Sequence, residues 1–148
     1  MNDVLQKLPG FVSKHPELVA LFVLILVVLV ATEIARLFRK WKSLTPAGLT
    51  QLINRDTPLI IDLSASADFE KAHIPGAKNV AMSQFDPETQ KDLSKAKELP
   101  VVLVDKDGRG VGKAANRLLK AGFTKVFVLE GGTYGWQTAQ LPVVKGKK

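Results

Sequence analysis

"VVLVDKDGRGVGKAANRLLKAGF", residues 101–123, decides the fold of this chain. Its first four residues form a continuous apolar run, the pattern of a strand buried on both faces of a parallel sheet. A Gly-rich turn follows, carrying Asp105, Lys106, Asp107, Gly108, Arg109 and Gly110. Beyond it, Ala114, Ala115, Leu118 and Leu119 recur on one helical face, and Gly122 is placed to stop that helix. In α/β proteins the carboxyl end of a strand is where ligands and nucleophiles sit. Asp105 occupies that position.

The same grammar extends in both directions. Thr45 is placed as an N-cap with Pro46 at the first turn, and Leu49, Leu52 and Ile53 supply one apolar face. "PLIIDLS" (58–64) reads as a strand and "SADFEKA" (66–72) as a short helix, followed by the loop "HIPGA" and a brief strand over Asn79–Ala81. Asp86 and Pro87 repeat the capping pattern ahead of another helix. "KVFVLEGG" (125–132) is the last strand and "TYGWQTA" (133–139) the last helix. Strands separated by helices predict a parallel α/β sheet with right-handed crossovers.

Upstream, Leu18–Ala31 is fourteen apolar residues without a break. Pro16 at one end and Ile34, Ala35, Leu37 and Phe38 at the other extend it towards the length that a membrane span requires. A soluble helix would carry a polar face over such a length, and a cleaved leader would carry its positive charge before the apolar run. Here Arg36, Arg39, Lys40 and Lys42 follow it, with Trp41 among them as an interface anchor. The expectation is a single-pass anchor over 16–38. A short tail (1–15) lies outside, a basic juxtamembrane linker (39–43) follows the span, and a domain over 44–144 lies on the cytosolic face of a bacterial inner membrane, ending in a basic tail (145–148). Ala31 and Ala35 form a small-xxx-small pair through which the span could self-associate.

Six cations against three acids before Thr45 leave that part at +3, and the remainder at +4 of the total +7. This balance suits topology and anionic lipid. Without a dense basic stripe or interleaved aromatics, it does not suggest nucleic acid. The chain has no cysteine, which removes disulfides, thiolate metal sites and any cysteine nucleophile. His15 and His73 fall on opposite sides of the proposed membrane, so neither a metal nor another cofactor is expected.

Taken alone, "DKDGR" resembles the D-x-D-G-T signature of haloacid-dehalogenase-like phosphatases, in which the first aspartate attacks phosphorus with Mg²⁺ support. That chemistry needs further carboxylates, and after Asp107 only Glu130 remains. A calcium loop lacks ligands for the same reason. A phosphate cradle over Gly108, Gly110 and Gly112 would have two aspartates repelling its anion.

Taken together, "FEKAHIPGAKNV", the 101–123 segment and "VFVLEGGTYGWQTAQLPV" resemble the signatures of the rhodanese-like domain, in the same order and spacing. With "LTPAGLTQLI" and "PLIIDLS" ahead of them, the resemblance covers about Leu44 to Val144. It implies a mostly parallel five-stranded sheet flanked by helices. It also implies that active relatives carry, after the strand matching "VVLV", a cysteine that takes up sulfane sulfur as a persulfide. In this chain that position is Asp105, the arginine at the loop's end is replaced by Gly110 with Arg109 one place early, and a second arginine position is Ser64. Asp105 cannot form a persulfide. His73, Gly131, Gly132, Trp136 and Asp62 read as scaffold. The expected function is an inactive sulfurtransferase homologue that binds a membrane-protein partner. The alternative is that the 105–112 loop binds a small anion or sulfur species, or performs other chemistry.

Overall fold

In the computed structural model, which describes residues 6, 9, 10 and 12–147, the chain divides after Arg39 into two units. In the first, helix α1 (Pro16–Leu37) is the one helix among the described residues long and apolar enough to cross a membrane. Its apolar stretch, Pro16–Ala35, has a mean hydropathy of 2.9, and none of it is buried.

In the second unit, β4 (Val101–Val104) is the centre of a five-stranded sheet, and every one of its side chains is buried. The sheet contains β1 (Lys42–Leu44), β2 (Leu59–Asp62), β3 (Lys78–Asn79) and β5 (Val126–Leu129), in the order β1-β5-β4-β2-β3. All four pairings are parallel, with Ile61 opposite Leu103 and Leu103 opposite Val128. Apolar residues on both faces of β2, β4 and β5 meet two helical layers, so these three are buried on both sides, whereas the edge strands β1 and β3 are not. One layer holds α4 (Lys91–Ser94) and α5 (Gly112–Lys120), which bury Leu93, Ala114, Ala115 and Leu118 against Leu103 and Val128. The other layer contains α2 (Pro46–Arg55), α3 (Ser66–Lys71) and α6 (Gly132–Thr138), with Leu49, Leu52, Phe69 and Trp136 packed on Val102 and Val104.

Local signals set the helix ends. The Thr45 hydroxyl accepts the Gly48 N–H at 3.1 Å, and Pro46 opens α2. α5 stops at Gly122 (φ +94°), whose N–H donates to the Leu119 carbonyl while that of Phe123 donates to Leu118. This paired closure is the Schellman arrangement.

Five readings need correction. Lys42, assigned to the linker, begins β1, because Lys42–Leu44 pairs with Phe127–Leu129. Trp41 is half-buried and packs against the α4–α5 layer of the core, so its ring belongs to the folded unit. Ile53 is exposed at 39%, since Leu49 and Leu52 alone point inward from α2. The strand expected over Asn79–Ala81 is only Lys78–Asn79, after which the chain turns into a 3₁₀ segment at Met82–Gln84. The helix expected from Pro87 begins at Lys91, because the Asp86 carboxylate accepts the Glu88 N–H at 3.0 Å and closes a local turn instead. In the tail, Gly146 donates its N–H to Glu70 at 2.9 Å and is tied to the domain.

Candidate functional site: the loop after the central strand

Parallel strands bring their carboxyl ends to one edge. Here that edge unites Asp62–Ser64 after β2, Asp105–Gly110 after β4 and Glu130–Thr133 after β5. At its centre the Asp105 carboxylate is folded into its own loop. One oxygen accepts the Gly108 N–H and the other the Gly110 N–H, the latter at 2.9 Å. The N–H between them, from Arg109, donates to the Asp107 carboxylate at 3.1 Å. Three consecutive backbone donors thus converge on carboxylates of the same loop. Such a concave set of N–H groups is an anion-binding nest, and here the anion is covalently part of the chain.

The loop's cations lie elsewhere. Lys106 Nζ lies 3.7 Å from Asp68 Oδ1, and Arg109 Nε lies 3.7 Å from Asp107 Oδ2. Arg109 is therefore held by its neighbour at the loop surface.

The "EGG" turn buttresses this loop. The N–H groups of Thr133 and Tyr134 donate to the carbonyls of Asp105 (2.8 Å) and Lys106 (3.0 Å). Gly132 has φ +57°, and a Cβ there would run into the Asp105 carbonyl oxygen. Gly108 has φ +83° and would likewise collide with the backbone of Gly131. Glycine is required at both places by conformation and by closeness.

Asp62 is 1% exposed, and its Oδ1 accepts the Ser64 N–H at 2.9 Å. Its Oδ2 has no partner in the protein. Burial pushes its carboxyl above the ordinary value, the Asp105 charge adds to the rise, and the Ser64 hydrogen bonds and His73 oppose it. His73 is fully buried and stacks on Phe69 at 3.7 Å. Because a carbonyl can only accept, its Nδ1 carries the proton donated to Phe69 O at 2.8 Å. Its backbone bridges to Val144. Trp136 is core, its indole donating to the Pro142 carbonyl at 2.8 Å.

Beside the loop a cleft of about 320 Å³ opens between Ser64, Lys71, Lys106, Thr133, Tyr134 and Gln137. The Thr133 hydroxyl on its wall is buried without a partner. Sequence reasoning did not single out Lys71, Thr133, Tyr134 or Gln137. They come from two different helices, and only the crossovers bring them together.

A profile of the Rhodanese-like domain family matches residues 45–139. The chain is 38% identical over 143 residues to the uncharacterized protein YibN of Escherichia coli K12, covering 97% of this chain and all of YibN. It is 26% identical over 102 residues to the thiosulfate sulfurtransferase GlpE of Pseudoalteromonas translucida, covering 67% of this chain and 91% of GlpE. Among solved structures, a thiosulfate sulfurtransferase from Pseudomonas aeruginosa superposes with a TM-score of 0.64 at 28% identity, over 74% of this chain but only 21% of that one. Strand order, the loop after β4 and the glycine turn that supports it thus agree with the sequence match, and the chain belongs to the rhodanese-like domain family.

Proposed function

We propose that this protein is a membrane-anchored, catalytically inactive rhodanese-like domain that serves as a protein-binding module at the cytosolic face of a bacterial inner membrane. The observation carrying this reading is the Asp105 carboxylate, which fills the backbone N–H nest where an active relative would hold an anionic sulfur. The chain has no thiol to carry sulfur, so persulfide chemistry lacks its nucleophile. The anchor reading rests on the length and apolarity of α1 and on the four cations that follow within seven residues, which set the short tail outside and the domain inside. A tether of this kind confines the domain to the membrane surface and raises its concentration near membrane-embedded partners. Affinity purification of the full chain in mild detergent is expected to recover a specific membrane-protein partner. Recovery of nothing above background, with and without α1, would remove the binding reading, and thiosulfate-to-cyanide transfer by the pure chain would remove the inactive one.

The cleft beside the loop supports a second reading, a sensor of a small anion or sulfur species. It presents Lys71 and Lys106 beside the unpartnered Thr133 hydroxyl. Both lysines are already paired with Asp68, which weakens their pull on an anion. Ligand-dependent rises in melting temperature across sulfate, thiosulfate and glutathione test it, and a flat response to all three removes it.

A further inference from the structure

We infer that the cleft beside the Asp105 loop binds an uncharged sugar ring through its vicinal hydroxyls, an inference that rests on the reading of this cleft as a ligand site. Its walls come from α3, which supplies Asp68 and Lys71, from α6, which supplies Thr133, Tyr134 and Gln137, and from the loop residue Lys106. The volume of about 320 Å³ lies at the lower end for ligand sites, room for one ring rather than for an extended cofactor. Thr133 is only 7% exposed, and its hydroxyl has no partner in the protein. A buried hydroxyl left unpaired costs free energy, and a ligand hydroxyl entering the cleft removes that cost. The main chain holds this wall in place, because the N–H groups of Thr133 and Tyr134 donate to the Asp105 and Lys106 carbonyls. The wall is therefore set before any ligand arrives.

The charges of the cleft select against an anion. Lys71 Nζ and Lys106 Nζ both approach Asp68 Oδ1, at 3.4 and 3.7 Å. Asp105 and Asp107 carry two more carboxylates in the adjoining loop, so a free anion gains little from the lysines and meets repulsion. A vicinal diol suits the same groups. One hydroxyl donates to the Asp68 carboxylate while its neighbour accepts from a lysine ammonium, so an acceptor and a donor held side by side satisfy adjacent hydroxyls with no charge entering. Gln137, one turn beyond Thr133 on α6, adds an amide that both donates and accepts. Tyr134, 70% exposed on the cleft wall, offers a ring face whose negative quadrupole attracts the polarised C–H groups of a sugar. An inorganic oxyanion would use neither the aromatic ring nor the acceptors.

Saturation-transfer NMR on the full chain, in a detergent without a sugar headgroup, tests this with methyl glucoside, methyl galactoside, ribose and glycerol as probes. A saturable signal is expected from at least one of the three ring sugars. Thr133→Val and Tyr134→Ala should each weaken that binding about fivefold, the effect of losing one hydrogen bond or one ring contact. Because the Thr133 hydroxyl has no partner in the protein, Thr133→Val is expected to keep the wild-type melting temperature, so that its loss of binding is not a loss of fold. A clear fall in that temperature would show that the hydroxyl is already satisfied, and overturns the inference. A saturable signal that neither variant weakens overturns it by placing the sugar elsewhere, and glycerol binding as tightly as the rings overturns it in favour of a simple diol. Sugar signals that never saturate, alongside a melting temperature raised by sulfate or thiosulfate, overturn the inference and leave the cleft an anion site. No response to either class overturns the inference and the ligand reading together.

Discussion

The Asp105 carboxylate spans the mouth of its own loop to accept the Gly110 N–H at 2.9 Å, while its other oxygen takes that of Gly108. Two backbone donors are thereby satisfied by one side chain, in a geometry that requires both oxygens to be acceptors. Asp105→Asn replaces one acceptor with a donor facing an N–H. It is expected to cost about 1–2 kcal/mol, the lower part of the range for hydrogen bonds to charged groups because the loop is only half-buried. Thermal unfolding of the detergent-solubilised chain measures this, and an unchanged midpoint would show that the nest does not depend on its carboxylate.

Asp105→Cys asks whether the nest still favours an anion once the carboxylate is gone. A thiolate there would face the Gly108 and Gly110 N–H groups. Its pKa is expected to fall below the ordinary value of about 8.5. The rate of iodoacetamide alkylation as a function of pH gives that pKa directly. A value at or above the ordinary one would mean that these donors do not act on the position.

Gly132 and Gly76 form a matched pair. Both have positive φ, +57° and +82°, but a side chain at Gly132 meets the backbone of the Asp105 loop whereas one at Gly76 meets nothing within 4 Å. Gly76→Ala should cost about 1 kcal/mol, the backbone term alone. Gly132→Ala should cost about 2–4 kcal/mol, because strain and overlap add. Equal losses would show that loop and turn are less tightly apposed than this.

Asp62 makes stability depend on pH in a predictable direction. Burial raises its folded carboxyl above the usual 3.8, so the folded state binds the proton more tightly than the unfolded state does. Its contribution is favourable at low pH and is lost as pH rises from 3.8 through the raised folded value. Asp62→Asn keeps the acceptor for the Ser64 N–H and removes this titration. In urea unfolding the variant should gain on the wild type as pH rises through that window, then run parallel to it. A gap that is constant from acid to neutral pH would show that Asp62 titrates normally.

Trp41→Ala separates two roles for one ring. Packed on the α4–α5 layer, the half-buried indole should contribute about 1–3 kcal/mol of domain stability, somewhat less than a fully buried aromatic residue. Unaltered unfolding, with altered membrane partitioning, would return Trp41 to the role of an interface anchor.

Features encoded by neighbouring residues were legible along the chain alone. The all-apolar Val101–Val104 specified a strand buried on both faces, Thr45 and Pro46 the start of α2, and Gly122 the end of α5. The order of these signals was enough to give the fold class, and the missing thiol closed off one chemistry. Tertiary structure decided the rest. Lys42–Leu44 has no strand signal of its own and becomes β1 because β5 offers a free edge. The apolar ring of Trp41, read as a lipid anchor, finds its partners in the core. Asp105 could be identified from sequence as standing in a reactive position, but not as the internal ligand of two N–H groups. That required the loop's closure on itself and on Gly132. The cleft formed by Ser64, Lys106 and Thr133 exists only where three parallel strands end at one edge. Patterning acts over a few residues, whereas a site of this kind is assembled across some seventy residues of chain, and no local propensity specifies such a meeting.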